Sequence, residues 1–171
     1  SEIKRRDGIA TSMKLLRSVL AVGFAMTPWL GSEAFAAGIE RIDGINLPDG
    51  LSKTYLQGDK DTVAHIYAEQ ANDTVGLNRF KTFDVGANQI ANLYFHTSAN
   101  APAFNTLVNT VQEQINISGT VNALRNNKIG GNLYFLSPKG MVVGSGGVIN
   151  AGALTVIGTD KTFSNASDAA D

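Results

Sequence analysis

Two histidines, His65 and His96, and three carboxylates in turn-like contexts, Asp59, Asp61 and Asp73, are the side chains that acid–base or metal chemistry would draw on. A metal site needs several ligands converging on one point, and neither histidine has an Asp, Glu or His partner at ligand spacing. Aspartate in a turn competes well for local hydrogen bonds, which accounts for the three carboxylates without a reaction. A glycosidase pair needs two carboxylates converging from different parts of the chain, and no active-site signature accompanies them. The run Gly144-Ser145-Gly146-Gly147 lacks the spacing and the Lys-Ser/Thr ending of a phosphate loop. Cysteine is absent, which removes disulfides, thiolate metal sites and cysteine nucleophiles together. It also suits a chain that crosses a membrane unfolded. The residues therefore point to no catalytic group, no cofactor and no metal, and so to a protein that is not an enzyme. Three Asn-x-Ser/Thr triplets, at Asn72, Asn116 and Asn165, are read as composition in an Asn-rich chain.

The elements that would carry these residues are short and β-like. Hydrophobic residues make up 43% of the chain and charged residues 17%, enough apolar material for a core and too much for wholesale disorder. Helix-period patterning is scarce after residue 37. The one candidate is 105–114, where Leu107, Val108 and Val111 would form an apolar stripe. Strand-type runs with turn residues between them recur at 62–68, 80–85, 90–96, 115–123, 132–137, 141–144, 147–150 and 153–157. Asn92-Leu93-Tyr94-Phe95 returns as Asn132-Leu133-Tyr134-Phe135, forty residues later. With solenoid coils of about 20 residues, two coils would bring the second tetrapeptide above the first, so that like side chains stack. Glycines at 130, 131, 140, 144, 146, 147 and 152 have corner-like spacing. The expected fold is all-β, a parallel β-helix. Its first coil needs a cap over otherwise unpaired backbone, expected from residues 38–53.

The first 36 residues read differently. Lys4, Arg5, Arg6, Lys14 and Arg17 precede an apolar run from Ser18 to Leu30, and small residues follow at Ala34, Ala36 and Ala37. Positive, apolar, then small-x-small is the order of a secretory signal peptide, with cleavage expected after Ala36. A membrane anchor would need about 20 apolar residues, and this run is shorter and contains Pro28. Two parts are expected: 1–36 as signal peptide and 37–171 as the mature domain. Residues 37–171 hold nine Lys and Arg against twelve Asp and Glu, a balance of −3. That leaves no electrostatic case for nucleic acid.

Residues 114–144, QINISGTVNALRNNKIGGNLYFLSPKGMVVG, resemble the secretion domain of filamentous haemagglutinin-type exoproteins, the exported partners of two-partner secretion systems. The likeness is nearest to leukotoxin-like filamentous adhesins. The stretch 80–88 with 91–95 resembles the family's first conserved block, and 146–154 the segment after the second. The family's second block carries an Asn-Pro-Asn-Gly-Ile turn after an apolar strand. Here that place reads Ser137-Pro138-Lys139-Gly140-Met141, which keeps the proline and the glycine and replaces both asparagines. The resemblance covers residues 40–158, the front part of such a domain.

The resemblance implies a right-handed parallel β-helix with an N-terminal cap, exported through the periplasm to the medium or cell surface. It implies a partner, an outer-membrane transporter whose periplasmic domains recognise the chain, and a host-cell receptor for regions further downstream. The residues it nominates for export are Asn88, Asn92, Asn132, Ser137, Pro138, Lys139, Gly140 and Met141. Two other readings remain open from the residues alone: the passenger of a single-chain autotransporter, and a β-helical carbohydrate-active enzyme. The tail from Ser164 has no apolar pattern and is expected to fray.

Overall fold

A computed structural model describes residues 37–170, so the segment expected to be a signal peptide, with the expected cleavage positions Ala34 and Ala36, lies outside the described residues. Among the described residues fourteen strands and one short helix follow one another. In chain order they are β1 (Ile39–Arg41), β2 (Thr54–Tyr55), β3 (Val63–Tyr67), β4 (Gln70–Ala71), β5 (Val75–Val85), β6 (Ile90–Tyr94) and β7 (Thr106–Val111). Then come β8 (Ile115–Ile117), β9 (Thr120–Arg125), β10 (Lys128–Ile129), β11 (Asn132–Leu136), β12 (Met141–Val143), β13 (Val148–Asn150), β14 (Ala153–Ile157) and α1 (Ala166–Ala169).

The strands wind into a parallel β-solenoid of about three turns with three faces. Face A stacks the first half of β5 with β7, β11 and β14. Face B stacks the end of β5 with β8 and β12. Face C stacks β3, β6, β9 and β13. Alternation selects which side chains point inward. On face C the inward columns are Ala64–Ala91–Val121–Ile149 and Ile66–Leu93–Ala123, and on face A one is Gly76–Leu107–Leu133–Leu154. Within the core, Phe80, Phe83 and Phe135 meet edge to face at 5.1–5.2 Å, and Phe95 stacks on Phe104 at 5.6 Å.

Coil length is not constant. Val75, Thr106, Asn132 and Ala153 are successive members of one column, so the coils shorten from 31 residues to 26 to 21. The difference is extruded at a single corner, between face C and face A. There the chain passes through β4 and its antiparallel turn back into β5. One coil later the same corner is the loop from Phe95 to Asn105, then the β9–β10 hairpin, then the short link Ala151–Gly152. The other two corners keep nearly the same length in every coil.

Three expectations need correcting. Residues 105–114 contain the strand β7 (Thr106–Val111) and no helix. Leu107, Asn109 and Val111 face inward, while Thr106, Val108 and Thr110 face out, a strand alternation assisted by β-branched residues. The two Asn-Leu-Tyr-Phe segments do not stack: the first lies on face C and the second on face A. Their likeness records the same in–out pattern, with both leucines and both phenylalanines buried. The tail does not fray completely. Asn165 caps α1 by accepting the Asp168 N–H, and Ala166 is buried beside Leu77, Val108 and Leu136 on the outer surface of face A.

Among residues 38–53, β1 runs antiparallel to β5, with an irregularity between Glu40 and Arg41, and pairs on its other side with β2. Arg41 is fully buried there. Its Nε donates to the Ser52 carbonyl (3.1 Å) and its Nη1 to Asn78 Oδ1 (2.8 Å). Its Nη2 donates to the Tyr67 carbonyl (3.0 Å) and the Tyr55 hydroxyl (3.2 Å), and the guanidinium lies over the Phe80 ring. Glu69 joins Arg41 to Arg79, at 3.4 Å and 2.6 Å. Asn78 Nδ2 donates in turn to Asn109 Oδ1 (3.1 Å), and Asn109 Nδ2 to the Tyr134 carbonyl (3.0 Å). A polar column thus threads three coils of an otherwise apolar interior, each member satisfied, as burial requires.

Candidate functional site

The Ser137–Gly140 turn forms the corner between face A and face B. Its residue order, Ser-Pro-Lys-Gly, follows the preferences of the four positions of a type I turn. The Gly140 N–H donates back to the Ser137 carbonyl at 3.4 Å, and Gly140 sits at φ +76°. A side chain there would meet no atom within 4 Å, so glycine is favoured for its backbone conformation and not for space.

Ser137 is fully buried and ties three levels of the solenoid together. Its Oγ donates to the Glu113 carbonyl on the preceding coil (2.8 Å) and accepts the Lys139 N–H within the turn (3.1 Å). Its N–H donates to the Ile157 carbonyl (3.0 Å), and its carbonyl accepts the Thr159 N–H (3.1 Å). The bond from a side-chain oxygen to the backbone two residues on is the one an asparagine carboxamide makes at the start of such a turn. Serine therefore preserves the turn's hydrogen bonding where the resembling family has asparagine. Lys139 is exposed and pairs with Glu113 (2.5 Å). Pro138 is exposed, and Met141 opens β12 opposite Ile115, packed against the core.

The other nominated asparagines lie elsewhere. Asn88 is exposed at φ 68° in the corner between faces B and C. Its neighbour Gln89, unforeseen from the sequence, is the buried pin of that corner. Gln89 accepts the Gly86 N–H (2.8 Å) and donates to the Gly58 and Asp61 carbonyls (3.0 and 2.9 Å). Asn92 belongs to an outward ladder on face C: Asn122 donates to Asn92 (3.0 Å) and Asn150 to Asn122 (2.9 Å). Asn132 is exposed at the start of β11. Only Ser137 to Met141 form one place; Asn88, Asn92 and Asn132 stand on other corners and faces. Ala37, exposed, donates its backbone N–H to Asp84 (3.0 Å).

Both histidines have structural partners. His65 Nδ1 meets the Tyr94 hydroxyl at 2.8 Å, and Tyr94 stacks on Tyr67 at 4.5 Å. Burial, and to a lesser degree Tyr67, pushes the Tyr94 phenol above its ordinary value. His96 Nδ1 donates to the Ala101 carbonyl (2.9 Å) and Nε2 accepts the Asn126 N–H (3.1 Å), which assigns the ring proton to Nδ1. Among the described residues no three His, Asp or Glu side chains are placed to hold a metal ion. A cavity of about 530 Å³ lies outside the Pro138 corner, under residues 159–164. Arg79, which lines it, is held by Glu69 and the Ser164 carbonyl, and Asp168 accepts from Ser164 Oγ. Two of its charged lining groups, Arg79 and Asp168, are thus already engaged by neighbours.

No protein-family model, no curated protein and no solved structure matches this chain.

Proposed function

We propose that this chain is the export-targeting and fold-nucleating domain of a secreted or cell-surface adhesin-like protein, recognised in the periplasm by an outer-membrane transporter. The observation that supports the reading best is the Ser137–Gly140 corner. It stands where the resembling family carries its turn motif, and the Ser137 hydroxyl supplies the bond the family's asparagine would make. On this reading the solenoid is right-handed, and β1, β2 and the loop between them cap its first coil. An extended stretch of the unfolded chain adds as a strand to a periplasmic domain of the transporter, a mode that suits β-rich segments. After export the capped coils fold first and template whatever coils stack on them.

The test is export of the chain from cells with and without a matched transporter. Native chain is expected in the medium only when the transporter is present. Asn132→Ala with Gly140→Asp is expected to hold the chain in the periplasm. Circular dichroism of the refolded variant separates lost recognition from lost folding. Export that ignores the transporter overturns the proposal.

A further inference from the structure

After Ile157 the chain leaves the solenoid and runs back over the outside of face A. The Thr159 N–H donates to the Ser137 carbonyl (3.1 Å), the Ser164 carbonyl accepts from Arg79 Nη1 (3.4 Å), and the Ala166 N–H donates to Gln70 Oε1 (2.8 Å). Beneath this strap stands the outward column Arg79–Thr110–Leu136. Between strap and column lies the cavity of about 530 Å³. Thr110, which lines it, is only 8% exposed, yet its hydroxyl has no hydrogen-bond partner among the described residues. A buried hydroxyl left unpaired is costly, so this one calls for a partner inside the cavity.

The lining narrows the chemistry of that partner. Arg79 is matched by Glu69, Asp168 accepts from Ser164 Oγ, and Asp160 and Lys161 stand side by side with opposite signs. An ionic ligand would meet no unbalanced charge. The rest of the wall is of two kinds. Ile42, Leu136 and Phe163 are apolar, while Thr110, Gln112 and Thr162 offer uncharged donors and acceptors. A hydrocarbon would leave the Thr110 hydroxyl unpaired. A pyranose has both an apolar C–H face and a rim of hydroxyls, and so meets both kinds of wall.

We propose that the cavity between the strap and face A binds a short uncharged saccharide, with the Thr110 hydroxyl paired to a hydroxyl of the sugar. The volume of about 530 Å³ falls within the range of about 300–1,000 Å³ usual for small-molecule sites. Leu136 and Phe163 pack against the sugar's C–H face, and burial of that face supplies the non-directional part of the affinity. Thr110 supplies the directional part. It sits in the middle of β7, on the rigid body of the solenoid, with the coil before and the coil after on either side. Gln112 and Thr162 stand at the more exposed margin of the same wall.

The experiment is saturation-transfer NMR of the full chain, titrated into the millimolar range. The probes are the methyl glycosides of glucose, galactose, mannose, fucose and N-acetylglucosamine, with glucose 6-phosphate as an anionic probe. At least one methyl glycoside is expected to bind and saturate, and more tightly than glucose 6-phosphate. Thr110→Val keeps the side chain's shape and removes its hydroxyl. It is expected to weaken that binding about fivefold, the worth of one neutral hydrogen bond. Thr120→Val, on face C, should leave it unchanged. Without sugar, Thr110→Val should not lower the thermal midpoint, since the hydroxyl it removes is unpaired. Failure of every methyl glycoside to bind, with water alone filling the cavity, overturns the inference. So does tighter binding of glucose 6-phosphate, an unchanged affinity in Thr110→Val, equal weakening by both valines, or a lowered midpoint in Thr110→Val. The site belongs to the folded chain and does not rest on the export reading, so transporter-independent export would leave it standing.

Discussion

At the scale of the residue, the most consequential side chains are those the sequence conceals. Arg41, Glu69, Asn78 and Asn109 look like ordinary polar residues of loops and strand ends, yet all four are buried. Their partners come from segments 9 to 37 positions away, so no local pattern announces them. A period-two reading that included Asn109 among the inward positions of 106–111 would have found one. Removing Glu69 leaves two guanidinium groups, one of them wholly enclosed, without their counter-ion. Breaking a buried pair in this way typically costs about 3–5 kcal/mol. Glu69→Ala is therefore expected to lower stability by that order in urea unfolding. Replacing Arg41 and Glu69 together by apolar residues should cost less than the sum of the two single changes, because neither charge is then stranded. The Ser137 corner is the opposite case: proline, glycine and the turn itself were legible, and only the hydroxyl's links to Glu113 and Lys139 and the backbone N–H's link to Ile157 needed the fold.

At the scale of the element, strand alternation was readable where apolar inward positions follow one another without interruption. The runs at 62–68, 90–96, 132–137 and 153–157 became β3, β6, β11 and β14 with small shifts of boundary. The two-residue strands β2, β4 and β10 were not readable, since they hold only one or two ladder positions and have no pattern of their own. The β9–β10 hairpin did leave a sign, Asn126-Asn127, both at positive φ, which is the pairing a tight hairpin turn favours. Region 105–114 was misread because an inward asparagine interrupts the apolar alternation. Corners depend on close approach as well as conformation. A Cβ at Gly119 would lie 2.3 Å from the carbonyl oxygens of both Gly86 and Gln89. Since those are backbone atoms that cannot rotate away, Gly119→Ala is expected to destabilise by about 1–3 kcal/mol. Gly130→Ala, with no atom nearer than 4.0 Å, should change the thermal midpoint far less.

At the scale of the whole molecule, the parallel solenoid was foreseen, though the repeat that suggested it was the wrong one. A coil of 20 residues and a 40-residue echo do not describe a chain whose coils measure 31, 26 and 21. Sequence periodicity failed because the inward ladder is regular in space while one connection per coil is not. That connection is always the passage from face C to face A. Two corners act as a fixed gauge, and the third as a tolerance joint that takes up any length without disturbing the stack. A flexible peptide spliced between Asn126 and Asn127 is expected to leave the unfolding midpoint nearly unchanged. The same peptide between Ala87 and Asn88 should unfold the coil, because it breaks the Gln89 pin. The joint lines up along one edge of the solenoid, so a series of different inserts would be displayed there in a row, coil above coil at the roughly 4.8 Å spacing of the strands.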